Sequence, residues 1–373
     1  MILKNATILN KSFEFEKTDL VIEKGKFAAI GKTDAEGIDL EGKYIVPGLI
    51  EIHTHGAVGY GFPSTAPEAT EKVAEFMLKN GVTAYAPGIC SAEFDIMLES
   101  CKHVKTYADS GEKYAKIAGV QLEGPYLSPN NHGGMRPEDL RRPDVDEFNM
   151  MNELTGGRIK LIALAPEIDG AFEFIEEMHD KVKISIAHTK ASYETAKKAI
   201  ELGVCHMTHT FNAMPSYMHR DPGVLGAAFE SDIMCECISD GIHLHPITVN
   251  ILYKIVGEDR LVLISDSMNA TGLPEGVHRV SGGREVTVKD GKVTLPDGTI
   301  AGGTATLLHC VRQAIRFGIP AEKAFKCATL NPAKVMGIDD VVGSITEGKC
   351  ADFLILNHDL SLCNVYKDGN LCY

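Results

Sequence analysis

Short, nearly continuous apolar runs recur through the middle of the chain, at 49–55, 82–87, 117–122, 159–165, 183–187, 205–208, 233–238 and 260–264. Runs of this length without alternation suit strands buried on both faces, as in a parallel sheet. The stretches between them have helical spacing. In 67–80, Val73, Phe76, Met77 and Asn80 fall on one face, and Gly81 follows as a helix stop. In 192–203, Ala196, Ala199 and Ile200 share a face, and Gly203 closes the helix. Strands alternating with helices over roughly 290 residues predict a (β/α)8 TIM-type barrel.

The two ends of the chain read differently. Apolar and polar residues alternate through Asp19-Leu20-Val21-Ile22-Glu23, and Glu23-Lys24-Gly25-Lys26 supplies a hairpin turn before Phe27-Ala28-Ala29-Ile30. Near the other end, Ala351-Asp352-Phe353-Leu354-Ile355-Leu356 precedes Asn364-Val365-Tyr366 and a turn at Lys367-Asp368-Gly369. Residues 1–48 and 345–373 are therefore expected to pack as one small β-sandwich domain beside a barrel spanning 49–344. A hairpin insertion near 280–300, turning at Lys289-Asp290-Gly291-Lys292, is expected after the eighth strand.

Composition narrows the class. The 37 Lys and Arg against 51 Asp and Glu leave a formal charge of −14, which speaks against nucleic-acid binding. A hydrophobic share of 44% with 24% charged residues is that of a globular protein, not a disordered one. No uncharged apolar run approaches the ~18 residues of a membrane span. Met1-Ile2-Leu3-Lys4-Asn5 opens no basic-then-apolar leader, so a cytoplasmic protein is expected. The 10 cysteines are scattered without a C-x-x-C pair and read as reduced thiols.

Candidate chemistry gathers at the strand ends, where barrel active sites form. The first strand ends in His53-Thr54-His55, and period-2 geometry points both imidazoles the same way. The third run leads into Glu123, the fifth into His188, the sixth into His209 and the eighth into Asp266. Taken singly, each has a plainer reading. A histidine in a strand is more often a hydrogen-bonded core residue, Glu123 before Gly124-Pro125 would serve as a turn cap, and Asp266 would orient a loop. The parity of His206 points it away from the others, and it reads as structural. Jointly at one rim, these residues suit a divalent cation such as zinc, which lowers the pKa of a bound water towards ~7, with a carboxylate nearby to move the proton.

The combination His53-Thr54-His55-Gly56, Leu122-Glu123-Gly124-Pro125 and Thr208-His209-Thr210-Phe211-Asn212-Ala213-Met214 resembles the amidohydrolase superfamily, and within it the N-acetylglucosamine-6-phosphate deacetylases. Leu164-Ala165-Pro166-Glu167, Ser239-Asp240-Gly241-Ile242-His243, Ser265-Asp266-Ser267-Met268-Asn269-Ala270-Thr271-Gly272 and Asn331-Pro332-Ala333 support the likeness. Many relatives bridge two metals with a carboxylated lysine on the fourth strand. Here that strand ends in Ala163-Leu164-Ala165-Pro166, and Glu123 takes the place of the deacetylases' glutamate. The resemblance implies one metal site from Glu123, His188 and His209 and a second completed by His53 and His55. One or two divalent ions per subunit follow, zinc first, with iron, manganese or cobalt as alternatives.

The implied reaction removes the acetyl group of N-acetylglucosamine 6-phosphate, in amino-sugar catabolism and recycling. Asp266 would carry the proton and His132 would help hold the carbonyl, while Asn212, Ala213, Arg220, His243 and the segment Ile300-Ala301-Gly302 would bind substrate. Arg220 is the implied phosphate ligand, although an ion pair with Asp221 would explain it equally. The rival readings are a deacetylase for the galactosamine epimer, another amidohydrolase, or a non-catalytic scaffold of the same fold. A homodimer is implied, in which subunits contribute to each other's phosphate site.

Overall fold

The computed structural model describes residues 1–280 and 285–373. Eight parallel strands lie side by side in chain order: Leu49–Thr54, Val82–Cys90, Val120–Glu123, Ile159–Leu164, Lys183–Ile186, His206–Met207, Met234–Ile238 and Leu261–Ile264. The eighth meets the first at the C-terminal rim, where Asp266 donates its backbone N–H to the His53 carbonyl at 3.1 Å and Thr54 pairs with Ser267. The predicted TIM-type barrel is there, nearly closed, and residues of the candidate site make the closing bonds.

Burial on both faces explains the unbroken apolar runs, since every residue of Leu49–Thr54 is buried. The helix Ala69–Lys79 buries Val73, Ala74, Met77 and Leu78, and Gly81 follows it at φ +86°. Phe76 and Asn80, expected on that face, are only half-buried. Ser192 caps the helix Tyr193–Glu201, its Oγ accepting from Thr195 N–H at 3.1 Å, a contact worth about 1 kcal/mol. Ala196 and Ala199 of that helix are buried.

Strands from both termini join one sheet in the order Asn370–Leu371, Leu362–Lys367, Phe353–Leu356, Tyr44–Pro47, Ile2–Leu9, Phe15–Glu23 and Lys26–Ile30, with Ile38–Asp39 beside Ile2–Leu9. Phe353 stacks on Tyr366 with ring centroids 4.4 Å apart inside this layer. Tyr44–Pro47 leads through Gly48 straight into the first barrel strand. A Cβ at Gly48 would stand 2.2 Å from the Thr83 hydroxyl, so only glycine lets the backbone pass.

The insertion after the eighth strand is larger than the expected hairpin. It is a four-stranded antiparallel sheet of Gly276–Arg279, Glu285–Lys289, Lys292–Thr294 and Ile300–Gly303. The turn at 289–292 joins the middle pair as expected, with Asp290 and Gly291 both at positive φ. The outer strands are short and largely exposed or glycine-containing, so they carry no alternation to read. Of the segment assigned to the hairpin, residues 281–284 lie outside the described residues. Among the described residues no helix is long and apolar enough to cross a membrane, and no disulfide joins the cysteines.

Candidate metal centre and cleft

Four imidazoles converge on one carboxylate. Glu123, the last residue of the third strand, has Oε1 2.9 Å from His209 Nε2 and 3.1 Å from His188 Nε2. Its Oε2 lies 3.0 Å from His55 Nε2, and His53 Nε2 stands 3.7 Å from Oε1. Two ligand sets of three therefore share Glu123: His53 with His55, and His188 with His209, the ligand atoms of each set lying within 4.8 Å of one another. Period-2 parity places the first pair, and the fifth and sixth strands supply the second.

The donor atoms test whether a cation fits. His53 Nδ1 lies 2.8 Å from Glu236 Oε2, His55 Nδ1 2.8 Å from the Gly88 carbonyl and His188 Nδ1 3.1 Å from the Asn131 carbonyl. These partners only accept, so each Nδ1 carries its hydrogen and each neutral ring turns the Nε2 lone pair inward. In the first pair the lone pairs then face each other at 3.2 Å and face the Glu123 carboxylate as well, while in the second His188 Nε2 stands 3.2 Å from the Nε2 of His209, whose buried Nδ1 has no partner among the described residues. Acceptors pressed against acceptors are what a divalent cation resolves, and imidazole with carboxylate is a zinc-type donor set. With protons alone in the site, burial would depress His53, yet the charges of Glu236, Asp266 and Glu123 carry it up to about 9. Burial likewise opposes ionisation of Glu123, and the His55 charge with the imidazole hydrogen bonds holds it well below the usual carboxylate range.

Asp266 completes the rim. Its Oδ1 is 3.4 Å from His55 Nε2 and 3.5 Å from His53 Nε2. His188, His209 and Asp266 each stand two residues beyond a strand and adopt φ of +43°, +27° and +49°. Left-handed backbone at a non-glycine residue costs about 1–3 kcal/mol, and here it turns three side chains back over the barrel mouth.

The cleft above this centre has room for ≈ 350 Å³ and is lined by His55, Glu123, His188, His209, Asn212, Ala213, His243, Asp266, Ile300, Ala301 and Gly302 among others. His53 lies beneath it, fully buried. Within the wall, Asp240 Oδ2 holds His243 Nδ1 at 2.8 Å. Two expected residues are not brought in. The neighbours Asn131 and Gly133 line the cleft but His132 does not, although its buried Nδ1 has no partner among the described residues. Arg220 is exposed on the loop before the helix Gly223–Glu230 and lines neither this cleft nor the cavity beside it. That second cavity adjoins at Asn131 and is walled by Lys190, Ser192, Ser216 and Asp221.

Three buried polar residues under the site escape sequence reasoning. Glu236 holds His53, His206 and the His209 backbone. Glu51 accepts from the backbone N–H groups of His53 and Ser265, each at 3.0 Å, and burial pushes its carboxyl up to about 7. Gln121 Nε2 lies 3.2 Å from His53 Nδ1. The available signal was polarity inside runs otherwise apolar: Glu51 shares the parity of His53 and His55, and Glu236 is central in 233–238.

Comparison with known proteins bears on this site. A model of the amidohydrolase family matches residues 44–372. An N-acetylglucosamine-6-phosphate deacetylase of Bacillus subtilis is 34% identical over 335 residues, covering 88% of this chain and 84% of its own. An N-acetylgalactosamine-6-phosphate deacetylase of Escherichia coli O157:H7 is 29% identical over 373 residues, covering 99% and 98%. The crystal structure of N-acetyl-D-glucosamine-6-phosphate deacetylase from Mycobacterium smegmatis superposes with a TM-score of 0.93 at 29% identity, covering 100% of both chains. A mutant of that deacetylase in complex with N-acetyl-D-glucosamine-6-phosphate superposes equally, at 0.93 and 30% identity, covering 100% of this chain and 98% of the other.

Proposed function

The chain belongs to the amidohydrolase family, and from that premise we propose that it hydrolyses N-acetyl-D-glucosamine 6-phosphate to D-glucosamine 6-phosphate and acetate. The carrying observation is Glu123, shared between two histidine pairs under a cleft that Asp266 also faces. It ends the third strand, where the resemblance places the deacetylases' glutamate, while the fourth strand, which carries a modified lysine in many amidohydrolases, has none at its end here. The substrate assignment is supported by relatives that are deacetylases over nearly the full chain and by a substrate complex in one of them.

Glu123, His188 and His209 would hold one cation and His53, His55 and Glu123 a second, with zinc the first candidate. When bound, such a cation supplies positive charge that polarises the amide carbonyl and acidifies water. The remaining work belongs to the chain's own side chains. Hydrolysis joins a water oxygen to the acyl carbon and breaks the carbon–nitrogen bond. Asp266 accepts a proton from the water and returns it to the amine nitrogen, since an amine leaves far more readily protonated. His132, with its unpartnered Nδ1, is the candidate to hold the acyl oxygen, and Asn212, Ala213, His243 and 300–302 enclose the sugar.

A charge of −14 repels a phosphorylated sugar, so local cations must reverse the field. Lys190 on the wall of the adjoining cavity is one such cation in this chain. Arg220 lines neither of these two cavities, and in a homodimer it would serve the neighbouring subunit's phosphate site. Tyr217 and Met218 beside it are 54% and 58% exposed, which suits a loop covered by a second copy.

The test is acetate release by zinc-loaded protein from N-acetylglucosamine 6-phosphate, its unphosphorylated form and the galactosamine epimer. Turnover of the first alone is the expected result. Equal rates on both epimers would favour the second reading, which the Escherichia coli relative supports, and no release from any would overturn the deacetylase assignment.

A further inference from the structure

We infer that Glu236 is a positioning residue that joins the two halves of the metal centre and holds His53 in the tautomer able to ligate. The inference rests on the two-ion reading above. Glu236 lies in the seventh strand, fully buried beneath the cleft. Its Oε2 accepts from His53 Nδ1–H at 2.8 Å and from the backbone N–H of His209 at 3.0 Å. One carboxylate thus grips a member of each histidine pair, by its side chain in one and its backbone in the other.

The tautomer follows from what surrounds His53. A carboxylate only accepts, so its bond places the hydrogen on Nδ1 and leaves Nε2 free to ligate. Gln121 presents an amide donor to the same Nδ1 at 3.2 Å. Without Glu236 that donor would favour the opposite tautomer, with the hydrogen on Nε2 and the lone pair turned away from the centre. The shorter contact and the negative charge of Glu236 decide between them. His206 explains how the carboxylate keeps its place: its Nε2 donates to Glu236 Oε1 at 3.0 Å, while its buried Nδ1 has no partner among the described residues. The histidine that reads as structural in the sequence is the anchor behind the anchor. Removing such a supporting group elsewhere costs metal affinity about 10–100-fold.

The experiment is a zinc titration of the metal-free full chain against a chromophoric chelator, for wild type, Glu236→Gln and Glu236→Leu, with a thermal melt of each metal-free protein. Wild type is expected to take two equivalents. Glu236→Gln keeps an acceptor but loses the charge, and its weaker equivalent should bind about tenfold less tightly. Glu236→Leu should retain one equivalent and bind the second at least about 100-fold less tightly. Unchanged affinities in both variants, with two equivalents bound, would overturn the role of Glu236 and leave the two-ion centre standing. Equal losses at both sites, tracking a lower metal-free melting temperature, would reduce Glu236 to a structural residue. A wild type that binds only one equivalent would instead refute the two-ion reading, and the inference with it. Should Glu236→Leu not fold, Glu236→Gln alone still separates these results.

Discussion

Asp266 is the carboxylate of the rim left over once Glu123 is committed to the histidines. Its Oδ1 stands 3.4–3.5 Å from the first histidine pair, and on that position rests its proposed role as the proton carrier. Asp266→Asn preserves size and loses the base, so kcat should fall by about 10³-fold or more while zinc content stays unchanged. Retention of activity within tenfold would give the proton to another group. At the phosphate end, Lys190→Met and Arg220→Ala should each raise KM for the phosphorylated sugar and hardly alter the rate on the unphosphorylated one. Steady-state kinetics on the two sugars reads this directly, and equal losses on both would remove the phosphate role. At this scale the sequence was legible where a residue's direction follows from strand parity, as for His53 and His55. It was not legible for Arg220, because an exposed loop has no periodicity to say what its side chains face. Glu236 was hidden by the same rule that exposed the histidines, since a strand buried on both faces gives no contrast between inside and outside.

Elements explain why those residues meet. Asn331 opens the helix Leu330–Met336 and donates through Nδ2 to the carbonyls of Glu258 at 2.8 Å and Leu261 at 2.7 Å, tying that helix to the start of the eighth strand. Asn331→Ala would take away both bonds inside the fold and should cost about 2 kcal/mol in chemical denaturation, with the activity of the folded fraction intact. In the terminal sheet, Asp19 accepts from the backbone N–H groups of Asn5 at 2.9 Å and Thr33 at 3.0 Å. Those bonds hold its carboxyl below the usual aspartate range. A carboxyl depressed in the folded state stabilises above its unfolded pKa, and the benefit fades as pH falls through the lower folded value. Asp19→Asn should therefore lower the melting temperature at pH 7, and the gap should narrow as pH falls through and below the usual aspartate range. The hairpin at 15–30 was legible because alternation and a Lys-Gly turn coincide, whereas the outer strands of the insertion were not, being short and open to water.

At the scale of the whole molecule, the candidate ligands come from the first, third, fifth and sixth barrel strands, and Asp266 adds the eighth. A cation held there would fasten parts of the barrel that its own sheet closes only weakly, since the eighth strand meets the first through rim bonds made by Asp266, His55 and Ser267. Anything that binds the folded chain and not the unfolded one adds RT ln(1 + [L]/Kd), about 2.7 kcal/mol at one hundred times Kd. For a chain of this length that amounts to a few degrees. Stripping the metal with a chelator should lower the melting temperature by about 3–6 °C, and added zinc should restore it. Glu123→Gln should abolish most of that response, because both ligand sets share this carboxylate, and Arg220→Ala should leave it intact. A melting temperature indifferent to the chelator, in protein shown by elemental analysis to have lost its zinc, would mean that the barrel holds the site together without help from the ion.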